Sequence, residues 1–210
     1  LQPLNAARLF TSALSGKITD GEPKQLVEHI DSSLGAAEEI ISTLLDISKL
    51  DAGALEPDIT VFPVNDLLKH LATEFSAIAK DQELELHVVP SSAWVRSDAK
   101  LLRRVVQNFL SNAIRYTASG KILMGCRRMK GFLRIEVWDT GPGMSEEQLA
   151  HIFEEFRRFQ HGRDKKGLGL GLAIVDRISG MLDHPVTVHS TQGKGSTFAV
   201  TVPRAPAEQV

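Results

Sequence analysis

Four short patterns follow one another along the second half of this 210-residue chain, and their order constrains its fold more than any other feature. They are Gln107-Asn108-Phe109-Leu110-Ser111-Asn112-Ala113, Asp139-Thr140-Gly141-Pro142-Gly143, Gly167-Leu168-Gly169-Leu170-Gly171 and Gly193-Lys194-Gly195-Ser196-Thr197. Two asparagines four apart share one face of a helix. Glycines let a backbone turn tightly or come close to a ligand. Each pattern is commonplace alone, and together they describe one composite site.

Composition narrows what that site can serve. The chain is 42% hydrophobic, enough for a packed core, and its net charge is −2, so no nucleic-acid or polyanion partner is expected. The single cysteine, Cys126, excludes an internal disulfide and fits a reducing, cytoplasmic compartment. No apolar run reaches the ~18 residues of a membrane span, so no membrane contact by this segment is expected. The chain starts inside an apparent helix, at Leu1 rather than Met, and reads as part of a longer protein that is free to carry an anchor elsewhere.

Residues 1–53 read as a helical hairpin. Ile30, Leu34, Ala37, Ile41 and Leu44 alternate four and three apart, the 3.5-residue period of a bundle seam. Ile40, Leu45 and Ile47 widen the stripe. Pro23 suits the first turn of the second helix, and Gly53 suits its end. Two helices bury little by themselves, so the expectation is half of a homodimeric four-helix bundle. The alternative is a hairpin packed on the second domain of the same chain.

Residues 58–203 read as an α+β domain, with a mixed sheet covered on one face by helices. Strands are expected at Ile59–Phe62, Leu84–Val89, Lys121–Arg128, Phe132–Asp139, Val186–Ser190 and Thr197–Val202. Helices are expected after a cap at Asn65 or Asp66, after a cap at Asp98, and from about Gly169 to Met181. In the strand ending at Asp139, Leu133, Ile135 and Val137 face one way and Arg134, Glu136 and Trp138 the other. Residues 204–210 have the character of a tail or linker.

On the helix after Asp98 the polar stripe reads Arg104, Asn108, Asn112, Arg115, beside an apolar stripe of Leu102, Val105, Phe109 and Ala113. A neutral amide oxygen at Asn112 can hold Mg²⁺ while phosphate oxygens and waters complete the shell. Arg115 brings positive charge to phosphates. Asp139 can accept a hydrogen bond from an exocyclic amine, with Gly141 and Gly143 leaving room for the ring. A turn capped by an aspartate is the plainer reading of that loop. Gly167, Gly169 and Gly171, alternating with Leu168 and Leu170, open a helix whose N-terminus suits phosphate. The spacing is neither a dinucleotide fingerprint nor a P-loop. The polar run from Gln160 to Lys166 reads as a lid, with Lys166 or Arg163 within reach of phosphates or simply solvated.

In this order the four patterns resemble the nucleotide site of the sensor histidine kinases. That family shares its ATP-binding fold, the GHKL fold, with type II topoisomerases, a heat-shock chaperone and a mismatch-repair ATPase. The resemblance covers nearly the whole chain. It implies ATP and Mg²⁺ as cofactors, Asp139 as reader of the adenine amine, and Tyr116 and Thr197 in the nucleotide site. The run Ile152-Phe153-Glu154-Glu155-Phe156-Arg157-Arg158-Phe159 resembles the family's phenylalanine box, with Arg158 in place of its arginine. Asn108 stands where the ATPase relatives carry a water-activating glutamate, and an amide is no strong base.

The same resemblance implies that the phosphoacceptor histidine lies three residues before Leu1. Pro3 and Leu4 match the tail of that family's histidine run, and Gln2 falls one helical turn after the histidine, where a polar residue can position water for dephosphorylation. The implied reaction moves the γ-phosphoryl of Mg-ATP to that histidine and then to an aspartate on a response-regulator receiver domain. The linker-like tail permits a receiver domain in the same chain, as in a hybrid kinase. Rival readings are an ATPase of the chaperone type, a phosphatase-biased enzyme, and a binding module without chemistry.

Overall fold

The computed structural model describes residues 55–155, 157 and 169–206, and scattered positions between 7 and 45. The chain divides into two compact units, one spanning Leu1–Ala54 and a larger one from Leu55 onward. Every described position between 7 and 45 is helical. Leu9, Phe10, Leu26 and Ile30 are each more than half exposed, whereas Val27 is buried. Of the expected seam, Ile30, Leu34, Ala37 and Ile41 fall on helical positions, as does the flanking Leu45. Ile40, Leu44, Ile47 and Gly53 lie outside the described residues.

In the larger unit the elements run β1 (Thr60–Pro63), α1 (Val64–Asp81), β2 (Leu84–Val88), β3 (Trp94–Ser97), α2 (Ala99–Tyr116), β4 (Gly120–Arg128), β5 (Phe132–Asp139), α3 (Glu146–Leu149), α4 (Gly171–Leu182), β6 (Val186–Thr191) and β7 (Gly195–Ala205). The sheet order is β1-β3-β7-β5-β4-β2, with β6 also on β7. Among the described strand pairs β2 and β4 run parallel, and the others are antiparallel. This is the mixed sheet that the strand and helix patterning predicts.

One face of the sheet carries the core. Ile122, Met124, Leu133, Ile135, Val137, Val200 and Val202 are all buried there. Leu102, Val105, Phe109 and Ala113 of α2 are buried against it, as their helical spacing predicts. The rings of Phe109 and Phe198 lie 5.5 Å apart, tilted by 32°. α1 adds Leu68 and Leu71, and α4 adds Val175 and Ile178.

Two expectations at element ends need correction, and one strand, β3, is not anticipated. The start of α1 is capped by neither Asn65 nor Asp66: the helix starts at Val64, and its first N–H donates to the Ala93 carbonyl at 3.1 Å. Asn65 Oδ1 instead accepts from the Ser91 N–H at 3.4 Å. β3 is too short to show alternation in the sequence, and its partners β1 and β7 are both remote in the chain. β7 runs on past Val202 to Ala205, two residues into the segment read as a tail, because Trp94 and Val95 pair with Ala205 and Arg204.

His184, just beyond α4, is buried, and its Nε2 lies 2.8 Å from Ser97 Oγ at the end of β3. Burial holds its imidazole below the ordinary value of 6.5. The unfolded chain therefore takes up a proton at a higher pH than the folded one. Stability from the neutral ring is complete above the unfolded value and is lost as pH falls through the folded one. Urea midpoints should fall as the pH drops below 6.5, and His184→Gln should flatten that part of the decline. Identical pH profiles for the two proteins would remove His184 as the cause.

Candidate nucleotide-binding site

Asp98 sets the start of α2. Its Oδ1 accepts from the N–H groups of Lys100 (2.9 Å) and Leu101 (3.0 Å), and its Oδ2 from that of Asp58 (2.9 Å). With the apolar stripe on the sheet, Arg104, Asn108, Asn112 and Arg115 come out half-buried along one edge. Tyr116 ends the helix, 39% exposed.

Asn108 is turned back on its own helix, its Nδ2 donating to the Arg104 carbonyl at 2.8 Å. Its Oδ1 faces the first residue of α4. A Cβ at Gly171 would stand 2.4 Å from that oxygen, so any larger residue there would push the Asn108 amide aside. Leu170, the residue before the helix, is buried and offers no side-chain cap. Among the described residues no side chain caps the start of α4, and a helix N-terminus of this kind suits an anion.

The second cluster surrounds Asp139 at the end of β5. Its Oδ1 accepts from the N–H groups of Gly141 (2.8 Å) and Ser196 (3.3 Å). Among the described residues no donor reaches Oδ2. Burial pushes the carboxyl above its usual value, and the two N–H donors oppose that shift. Gly195 has φ +114° and its Cα faces the Asp139 carbonyl so closely that a Cβ would lie 1.9 Å from the oxygen. Gly143, with φ +64°, similarly meets the Thr191 carbonyl. Gly141 rests against Thr117 Oγ1 and the Tyr116 carbonyl, which joins this loop to the end of α2.

α2 therefore connects the two clusters. From Asn108 to Tyr116 the helix rises about 12 Å, a span that suits an extended nucleotide with its base at Asp139 and its phosphates at α4. Asn108, Gly171, Asp139, Gly141 and Tyr116 are brought into these contacts, and Asn112 and Arg115 lie along the connecting edge. Gly169 has φ +70° ahead of α4. Gln2, Arg158, Arg163, Lys166, Gly167 and Leu168 lie outside the described residues.

Thr197 is placed apart from these residues. It pairs with Trp138, so it lies on the opposite face of the sheet from Asp139. Ser196, one residue earlier, pairs with Asp139. Its hydroxyl lies 3.0 Å from Ser190 Oγ, which accepts from the Met144 N–H at 2.8 Å. A one-residue difference in a strand exchanges faces, and alternation from the buried Phe198 would have picked Ser196. Thr117, which the motifs pass over, is buried with its hydroxyl unpartnered among the described residues.

A sheet with helices on one face, a paired-asparagine helix along its edge and a half-buried aspartate at a strand end define a nucleotide-binding α/β sandwich. The sequence comparisons give the family. The description "Histidine kinase-, DNA gyrase B-, and HSP90-like ATPase" matches residues 97–206, and "His Kinase A (phospho-acceptor) domain" matches residues 1–53. The chain belongs to the histidine kinase family. It is 31% identical to the sensor histidine kinase RcsC of Escherichia coli (strain K12) over 85% of this chain and 19% of that protein. It is 29% identical to the sensor-like histidine kinase SenX3 of Mycobacterium tuberculosis (strain ATCC 25618 / H37Rv) over 96% of this chain and 50% of that protein. It thus spans from a fifth to a half of these relatives. Full-length ShkA in complex with AMPPNP superposes with a TM-score of 0.81 at 29% identity, covering 98% of this chain and 44% of that one. The histidine kinase AdeS of Acinetobacter baumannii, 20% identical with a TM-score of 0.69 over 98% of this chain and 95% of that one, shares the fold.

Gly171→Ala should displace Asn108 and weaken ADP binding about tenfold or more, with urea stability changed by about 1 kcal/mol or less. Calorimetry on the purified chain checks this; unaltered affinity would mean that the contact has no bearing on the nucleotide. Asp139→Asn should lower ADP affinity by about 1.5–3 kcal/mol, the range for a hydrogen bond to a charged group, and should shrink the preference over GDP.

Proposed function

We propose that the chain is the ATP-binding and dimerisation core of a protein-histidine kinase. Asp139 Oδ2 accepts from the adenine amine, the first turn of α4 receives phosphate oxygens, and Arg115 adds positive charge. The observation that carries the reading is the amide of Asn108, tied to the Arg104 carbonyl beside the start of α4; by the family resemblance it takes the place of the water-activating glutamate of the ATPase relatives. ATP bound beside it meets no strong base, which favours storage of the γ-phosphoryl for an incoming nucleophile over hydrolysis.

Mg²⁺ fits the donors present. An amide oxygen on the edge of α2 suits an ion whose other ligands are phosphate oxygens and waters. Asn112 is the protein ligand in this reading, and the ion would offset negative charge on the triphosphate. The neutral imidazole nitrogen of a histidine upstream of Leu1 attacks the γ-phosphorus. The bond to the β–γ bridging oxygen breaks, a nitrogen–phosphorus bond forms, and ADP leaves. A carboxylate oxygen of a receiver-domain aspartate then takes the phosphoryl group from the histidine. The protein contributes positioning and charge stabilisation.

The exposed Leu9, Phe10, Leu26 and Ile30 support a homodimer through the helical unit. Among the described residues no helix is long and apolar enough to cross a membrane. Gln2 is assigned a role in dephosphorylation of the regulator; unchanged loss of label from a phosphorylated receiver domain in Gln2→Ala would exclude it.

The test is a chain extended upstream through the expected histidine and incubated with Mg-ATP labelled at the γ-phosphate. Acid-labile, base-stable label is expected, and Asp139→Ala should abolish it. Asn112→Ala should slow labelling by about 100-fold. ATP binding without label would leave a phosphatase or a regulatory module instead.

A further inference from the structure

The sheet has a second face, which the nucleotide site does not use. Residues directly opposite one another on neighbouring strands point the same way. On this face Leu123 of β4 stands opposite Trp138 of β5. Leu123 is 41% and Trp138 44% exposed, so two large apolar side chains lie together in the middle of an open sheet.

Trp138 is held in place. Its indole N–H donates to Glu136 Oε2 at 2.8 Å. Glu136 is only 8% exposed, and its other oxygen lies 3.1 Å from Arg134 Nε and 3.9 Å from Arg127 Nε. A buried carboxylate thus fixes the aromatic ring, with two guanidiniums placed near the carboxylate as ion-pair partners.

Those guanidiniums carry the second half of the argument. Arg127 and Arg134 are direct cross-strand neighbours, an arrangement in which like charges repel. One carboxylate between two cations leaves positive charge, and the Arg127 side chain is 68% exposed. On the other side of the apolar pair, Glu85 and Lys121 meet at 3.1 Å and cancel. The face therefore has an apolar row and, about 13 Å along the strands, a cationic row. An α-helix, about 10–12 Å across with its side chains, would meet both rows when laid between them, because the arginine side chains extend toward it.

We propose that this face docks an amphipathic helix of a partner protein. Its apolar side meets Leu123 and Trp138, and carboxylates along one edge meet Arg127 and Arg134. A rigid, pre-oriented tryptophan is the kind of anchor that concentrates binding energy, because little side-chain freedom is lost on contact. The paired arginines select an acidic helix over a basic one.

The test uses the whole 210-residue chain and a synthetic helical peptide of about 18 residues, with leucines at i, i+3, i+4 and i+7 and glutamates along one flank. A twin peptide carries lysines in place of the glutamates. Calorimetry should show the acidic peptide binding about tenfold or more tighter than its twin. Trp138→Ala should weaken it by about tenfold or more, separating this face from the apolar helices of the first unit. Arg127→Glu should reverse the preference between the peptides. ADP affinity should be unchanged in both variants, which shows that they are folded. Equal binding of the two peptides, full affinity in Trp138→Ala, or no binding at millimolar peptide would overturn the proposal. Displacement of the peptide by single-stranded oligonucleotide, or dimerisation through Trp138, would overturn it in favour of a nucleic acid or a second copy.

Discussion

The seating of α2 on the sheet decides everything else in the larger unit. Its buried face packs Phe109 against Phe198, and losing a buried aromatic of this kind costs about 3–5 kcal/mol. The Asp98 cap at its start is worth about 1 kcal/mol. Packing therefore sets the rotation of the helix, and the cap sets where it starts. Asn108 and Asn112 are then left at the edge because they are spaced to miss the core. Turning α2 by one residue, about 100°, would bury an amide or expose Phe109.

Asp139 shows the opposing demands of such a site. Removal from water disfavours its charge, while two backbone N–H groups favour it. Both donors converge on one oxygen, which leaves the other open to a further donor. That imbalance makes an incoming amine worth more here than at the surface. It depends on β5 and β7 meeting closely enough for Gly195 to touch the Asp139 carbonyl.

Local pattern carries most of this. The period of α2 marks its buried and polar stripes, and alternation in β5 places Leu133, Ile135 and Val137 inside. What stays hidden depends on partners far away in the chain. Four residues of β3 have no period to read, and Pro203 disguises the end of β7. The start of α1 is satisfied by the remote Ala93 carbonyl, so its nearby polar residues are misleading signals. The glycine motif points to Thr197 where face alternation favours Ser196. The approach of Asn108 to Gly171 joins residues far apart in the chain, legible as chemistry in the motifs but not as geometry.

β7 is the last strand to be made and the most connected, pairing with β5, β6 and β3. During synthesis, then, nearly all of the domain leaves the ribosome before its sheet can close. Until residues 195–205 emerge, β5 offers an open edge and β3 has only β1 beside it. Such long-range closure makes folding slow and the nascent chain prone to mispairing. Chaperones would meet this domain with its sheet still open, and a chain cut a few residues before β7 would lack the Ser196 N–H that holds Asp139.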